Sequence, residues 1–177
     1  VTRRILLAFR ILAATVAVVA GATLESLVQP VEAVERREPK YIFVFIADGA
    51  GVSHLESARL YNRLMRGEGM VISDRIMKEG HSGLMTTHSA DSLVTDSAAA
   101  ATAMTLGCKA KNRSVGLCAD GGVPKNVAQL AKETRRRIGL VTNSTIYDAT
   151  PAAFASRAGE RRMYRSIIEQ YLKLEVD

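Results

Sequence analysis

Residues 93–107, reading Leu-Val-Thr-Asp-Ser-Ala-Ala-Ala-Ala-Thr-Ala-Met-Thr-Leu-Gly, constrain this chain more tightly than any other stretch. An acid and a serine stand directly ahead of a run of the best helix formers, because alanine loses no side-chain entropy in a helix. Ser97 therefore sits at or next to the N-cap, where a side-chain oxygen accepts from free amides, and Gly107 supplies the stop. Such a helix carries mainly Ala and Thr, so another element can approach its backbone closely. A hydroxyl at its start also meets the positive end of the helix dipole and a ring of unpaired amides, a setting for a phosphate-like anion.

The segments around this helix read as alternating strands and helices. Residues 41–47, Tyr-Ile-Phe-Val-Phe-Ile-Ala, form an unbroken apolar run with β-branched and aromatic character. A continuous rather than alternating run predicts a strand buried on both faces, as in a parallel sheet. It ends in Asp48-Gly49-Ala50-Gly51, which puts a carboxylate at the carboxyl end of a strand, where open α/β sheets bind ligands. Ser53 and Glu56 have the spacing of a capping box for a helix running to about Arg66. A short helix over residues 73–78 and a strand over 82–87 follow, and 88–94 form a loop into the serine helix. Residues 107–122, rich in Lys, Asn and Gly, read as a surface loop. Pro124 opens a helix through Arg137, and 139–143 form a short buried strand. Asp148 to Thr150 make a polar corner, a helix begins over 151–155, and an amphipathic helix over 161–176 turns Ile167, Ile168, Tyr171 and Leu172 inward.

A chain of 177 residues has room for one domain. Its net charge of +6 is concentrated in part at Arg135, Arg136 and Arg137 and at Arg161, Arg162 and Arg165. Only 5% of residues are aromatic and no basic–aromatic stripe occurs, which argues against a nucleic-acid partner and leaves small anionic substrates. Cys108 and Cys118 lack zinc-knuckle spacing. They form a small disulfide loop if the chain is exported and free thiols if it is not. Arg3, Arg4 and Arg10 precede an uncharged, Ala- and Val-rich stretch at 11–24, the pattern of an export leader. We expect residues 1–33 to be a signal peptide or uncleaved anchor, 34–40 a charged linker, and 41–177 the folded domain. The expected location is periplasmic or extracellular, or membrane-anchored if the leader is retained.

Three polar corners, Asp48, Asp96-Ser97 and Asp148 with Thr150, offer hard oxygen ligands and a hydroxyl nucleophile, with arginines nearby. Hard cations prefer carboxylate and hydroxyl oxygen, and an arginine forks two hydrogen bonds onto a phosphate. Phosphoryl transfer needs those parts, since its catalysis is mostly positioning and charge neutralisation. In order along the chain stand Asp48-Gly49-Ala50-Gly51, Asp96-Ser97 with its alanine tail, Gly107-Cys108-Lys109 with Asn112 and Gly116, and Asp148-Ala149-Thr150-Pro151. This set resembles the alkaline phosphatases, metal-dependent phosphomonoesterases, from about Pro39 to Asp177.

The resemblance implies a three-layer α/β/α sandwich of which the chain holds the N-terminal part of the sheet. It implies Zn2+ and Mg2+ as cofactors, phosphate monoesters as substrates and a homodimer. By position, Asp48 is the carboxylate shared between a zinc and the magnesium, and Ser97 is the nucleophile that becomes phosphoserine and ligates zinc. Thr150 and Asp148 belong to the magnesium site. Arg161, by its spacing from Asp148, clamps the phosphate, with Arg157 and Arg162 as nearby alternatives and Asp96 orienting it.

The family's further Asp, His and Glu ligands have no counterpart in this chain. His54, His81 and His88, its three histidines, fall outside the ligand motifs. The chain therefore reads as an N-terminal portion, poorly active by itself. The alternative is a non-catalytic exported remnant that binds phosphate or a divalent metal. A serine acyl hydrolase is disfavoured, because no Gly-x-Ser-x-Gly surrounds Ser97 and no histidine partners it.

Overall fold

A computed structural model describes residues 39–177. The leader expected over 1–33, and residues 34–38 of the linker, lie outside the described residues. The chain divides into two units, Val1–Phe45 and Ile46–Asp177. In the first, residues 39–45 are exposed and carry no regular secondary structure. The second holds six α-helices among the described residues: α1 (Val52–Tyr61), α2 (Met77–Glu79), α3 (Ser97–Leu106), α4 (Val127–Glu133), α5 (Ala149–Ala155) and α6 (Tyr164–Leu174).

The core is built on α3 and α5, the helices with the most extensive mutual packing. Ala98 and Ala101 of α3 and Ala149, Ala152 and Ala153 of α5 are buried in one apolar cluster with Val115, Ile167 and Tyr171. Small side chains let the two helix backbones come close, so their burial is tight rather than voluminous. On α6, Ile167 and Tyr171 are buried, four residues apart on one face, and Ile168 packs at its edge. Leu172, expected to point inward, is 74% exposed. It lies about 100° around the helix from Tyr171, past the edge of the stripe. The Tyr171 hydroxyl donates to the Ile146 carbonyl at 3.0 Å, and burial pushes the phenol well above its ordinary range.

Local signals explain most helix boundaries. Asp96, in extended conformation, caps α3 by accepting from the Ala99 N–H at 2.9 Å, and Gly107 ends the helix at φ 70°. Asn126 and Gln129 cap α4 reciprocally. That helix runs only to Glu133, shorter than the stretch to Arg137 expected from sequence, and Arg135 turns left-handed just beyond it. At α1 the cap is Gly51 rather than Ser53: the His54 Nδ1 accepts from the Gly51 N–H at 3.1 Å. A wider π turn, Asn62–Arg66, carries α1 on to Gly67.

Two expectations from sequence are corrected. The strands over 41–47, 82–87 and 139–143 are not paired into a sheet among the described residues. Tyr41 is 76% exposed, Phe45 91% and Val141 98%. An apolar run records a tendency toward burial, but a sheet needs hydrogen-bonding neighbours that a run cannot specify. Ile138 and Leu140 instead bond the backbone of Asp177. The second correction concerns residues 107–122, which are not a surface loop. Ala110, Val115, Gly116 and Cys118 are buried, and Cys108 is bonded to Cys118. Val115 and Ala158 exchange backbone hydrogen bonds at 2.9 Å, an antiparallel bridge that ties this segment to the chain after α5.

The disulfide closes a loop of ten-residue separation, which in a chain-entropy account stabilises by about 3 kcal/mol through the unfolded state. Replacing both cysteines, Cys108→Ser with Cys118→Ser, is expected to lower unfolding free energy by about that amount. Urea denaturation of the double variant against the oxidised parent measures it.

Candidate active site

Two polar clusters meet at the starts of α3 and α5. In the first, Asp48 accepts from two hydroxyls far away in sequence: Ser97 Oγ at 3.1 Å on Oδ1 and Thr150 Oγ1 at 2.7 Å on Oδ2. Ser97 is the first residue of α3 and Thr150 the second of α5, so the close packing of those helices brings both hydroxyls to one carboxylate. Asp48 sits beside Gly49, whose φ of 74° makes the turn.

The second cluster centres on Arg161. Its Nη1 donates to Asp96 Oδ2 at 3.2 Å and its Nη2 to Asp148 Oδ1 at 2.8 Å. Asp96 is occupied on all sides: it caps α3, and its Oδ2 also accepts from the Arg113 N–H at 3.0 Å. Asp148 caps α5 at the Ala149 N–H and accepts from Ser144 Oγ at 2.9 Å. Partial burial works to raise the Asp148 carboxyl, but the Ala149 amide, the Ser144 hydroxyl and the Arg161 guanidinium outweigh it and hold the group below its ordinary value. The same two carboxylates outweigh the burial of Arg161 and raise its guanidinium.

This linkage has a sign. A carboxyl whose folded-state value is lowered stabilises fully above its unfolded value, and that contribution disappears as pH falls through the folded value. Asp148→Asn is therefore expected to be less stable than the parent at neutral pH, and the gap is expected to close in acid. Denaturant midpoints measured from neutral pH to below about pH 4, the ordinary carboxyl range, test this. A gap that stays constant overturns it.

All six residues singled out from sequence (Asp48, Asp96, Ser97, Asp148, Thr150 and Arg161) thus fall into these two clusters, joined through the neighbours Asp96-Ser97 and Asp148 to Thr150. Sequence reasoning missed Arg113, Ser144 and Glu160. Arg113 directly follows Asn112, whose side chain accepts from the Asp96 N–H and donates to the Val94 carbonyl, and that adjacency was the available signal. An open cleft of about 600 Å3, lined by Asp96, Asn112, Arg113, Arg161 and Arg162, lies beside the arginine cluster.

As a cation site, Asp48, Ser97 and Thr150 supply hard oxygens of the kind magnesium prefers. Among the described residues no three His, Cys, Asp or Glu side chains converge. The three oxygens are of a type that fits a hard divalent ion, with one carboxylate among them.

Solved structures sharing this backbone are phosphatases. The Thermus thermophilus alkaline phosphatase matches with a TM-score of 0.65 and 34% identity, over 73% of this chain and 27% of that one. The alkaline phosphatase of the Antarctic bacterium TAB5 matches at 0.60 and 29% identity, over 73% of this chain and 36% of that one. A mutant of the TAB5 enzyme, also similar, was solved with Mg bound in its M3 site. A model of the alkaline phosphatase family matches residues 39–174, and the chain belongs to that family. Alkaline phosphatase 3 of Bacillus subtilis is 35% identical over 153 residues, 85% of this chain and 33% of that protein. The repressible alkaline phosphatase of Saccharomyces cerevisiae is 37% identical over 123 residues, 69% of this chain and 21% of that protein. The chain thus spans between 21% and 36% of the length of these relatives.

Proposed function

We propose that this chain carries the nucleophile and phosphate clamp of a phosphate monoester hydrolase that works through a phosphoserine at Ser97. The observation that carries the reading is the convergence of Ser97 Oγ and Thr150 Oγ1 on Asp48, from positions 49 and 102 residues away. Ser97 stands at the positive end of α3, half-buried, with its hydroxyl hydrogen held by Asp48. Its oxygen is therefore oriented rather than free to rotate. Arg161 is held by two carboxylates yet keeps a second hydrogen on each Nη, since a guanidinium has five N–H donors. Those remaining donors receive phosphate oxygens.

The serine oxygen bonds to phosphorus as the ester oxygen leaves, and water then displaces the serine oxygen and releases phosphate. The serine proton passes through solvent water to the departing ester oxygen, and in the second step the attacking water gives a proton to the serine oxygen, while Asp48 orients the hydroxyl. Asp48, Ser97 and Thr150 would hold a divalent cation, magnesium or zinc, which when bound supplies charge neutralisation on the phosphoryl oxygens. Asp96 and Asp148 do not touch substrate and act by fixing the Arg161 head group.

A second reading, a remnant that binds phosphate or a divalent ion without transfer, is favoured by the single carboxylate in the Asp48 cluster. One experiment separates them. The chain is mixed with a chromogenic phosphate monoester in Mg2+ and Zn2+, quenched in acid and mapped for phosphopeptides. Phosphate on the peptide holding Ser97 supports transfer, whereas calorimetric phosphate binding with no labelled serine supports the remnant.

An exported location is part of the same proposal. It rests on the basic and apolar pattern of residues 1–24 and suits a disulfide between Cys108 and Cys118. Among the described residues no helix is long and apolar enough to cross a membrane.

A further inference from the structure

We propose that Arg113 and Arg162 form a second anion-binding subsite beside Arg161, selecting phosphate esters that carry a further anionic group close to the ester phosphate. The inference rests on the reading of Arg161 as the phosphate clamp and extends it to a substrate class.

Backbone pairing puts the two arginines side by side. Val115 and Ala158 exchange hydrogen bonds at 2.9 Å, and further along the same two segments the Arg161 N–H donates to the Arg113 carbonyl at 2.7 Å. The two also share an acceptor, since Asp96 Oδ2 receives the Arg113 main-chain N–H at 3.0 Å and Arg161 Nη1 at 3.2 Å. Arg113 adopts this position at φ 71°, in the left-handed region. That conformation is unfavourable for a residue with a Cβ, and strained residues of this kind concentrate at ligand sites.

The side chains leave donors over. Arg113 donates through Nε to Glu160 Oε2 at 2.7 Å, which fixes the guanidinium plane while its terminal nitrogens make no hydrogen bond among the described residues. The Arg162 side chain makes no hydrogen bond or ion pair among the described residues and acts on Glu160 only through space. Arg113, Arg161 and Arg162 line the cleft together with Asp96 and Asn112. Arg113 and Arg162 share a single carboxylate, Glu160, so this pair keeps one guanidinium charge uncompensated. Arg161 spends its charge on Asp96 and Asp148, and the surplus therefore lies with Arg113 and Arg162. An anion bound there and a phosphate on Arg161 are reached by one small molecule carrying both groups.

Two non-hydrolysable probes test this without turnover: methylphosphonate, with one anionic group, and phosphonoacetate, with an added carboxylate. Isothermal titration of the full chain in Mg2+ buffer is expected to show phosphonoacetate binding about tenfold tighter, the scale of one or two solvated charge-assisted contacts. Arg113→Gln with Arg162→Gln is expected to remove that advantage and leave methylphosphonate affinity unchanged. Arg137→Gln, which removes a charge outside the cleft, should leave the advantage intact. An advantage that survives the double variant overturns the subsite. If methylphosphonate still binds and weakens in Arg161→Lys, the clamp reading stands despite that failure. Methylphosphonate binding indifferent to Arg161→Lys, with a phosphonoacetate advantage dependent on Arg113 and Arg162, overturns the clamp and keeps the subsite. Binding of neither probe overturns both.

Discussion

Ser97→Ala is expected to abolish phosphoserine formation and lower phosphate-ester turnover by about a thousandfold or more, the scale on which removing a nucleophile acts. Folding stability should stay within about 0.5 kcal/mol of the parent. The second half of this expectation follows from the geometry. Asp96, not Ser97, accepts from the Ala99 amide and caps α3, so a serine-to-alanine change removes no cap and installs a better helix former. Asp48 loses one donor and keeps Thr150. Acid-quenched phosphopeptide mapping reads the first effect and a denaturant melt reads the second. Serine-linked phosphate persisting in the variant would refute the nucleophile assignment. A large stability loss would instead make Ser97 a structural residue. The contrasting variant is Asp96→Ala, which removes the α3 cap, the Arg113 amide contact and one of the two anchors of Arg161.

The contrast between neighbouring residues marks what could be read in the chain beforehand. The alanine run and Gly107 specify α3 locally, because propensity and capping act within a few residues, whereas α5 starts at Ala149 under an Asp148 cap, two residues before the start expected at Pro151. The order of the polar corners pointed to the residues that gather at Asp48 and Arg161. What sequence could not give was pairing. Residues 41–47 look like a buried strand, yet their backbone partners cannot be named from the run. Residues 107–122 look like solvent-exposed loop because they are polar and glycine-rich. Yet Val115 and Gly116 sit in the core, since a bridge to Ala158 and a disulfide fix the segment from outside itself. Arg113 had only its adjacency to Asn112 as a signal, because its placement comes from Arg161 lying opposite, a tertiary fact.

Gly116→Ala is expected to be the most destabilising single substitution near the site, at about 4 kcal/mol. A Cβ built at Gly116 lies 2.2 Å from the Ser156 carbonyl oxygen and 3.2 Å from Arg157 Cγ, and the backbone there has φ 62°. Overpacking of this kind costs about 1–3 kcal/mol, and the left-handed conformation adds about 1–2 kcal/mol for a residue with a Cβ. Relief requires moving backbone, which endangers the 2.9 Å hydrogen bond from the Gly116 N–H to the buried Thr102 Oγ1 on α3. That shift also pulls on the neighbouring bridge, and through it on the register of Arg113 against Arg161. The disulfide gives the control. Removing it acts mainly on the unfolded chain and should lower stability while leaving phosphonate affinity intact, whereas Gly116→Ala should lower both. Urea midpoints and titration with methylphosphonate on the two variants distinguish these cases. A Gly116→Ala protein that keeps parental stability would show that residues 114–116 do not approach the chain after α5 as closely as described, and the alignment of the two arginines would lose its basis.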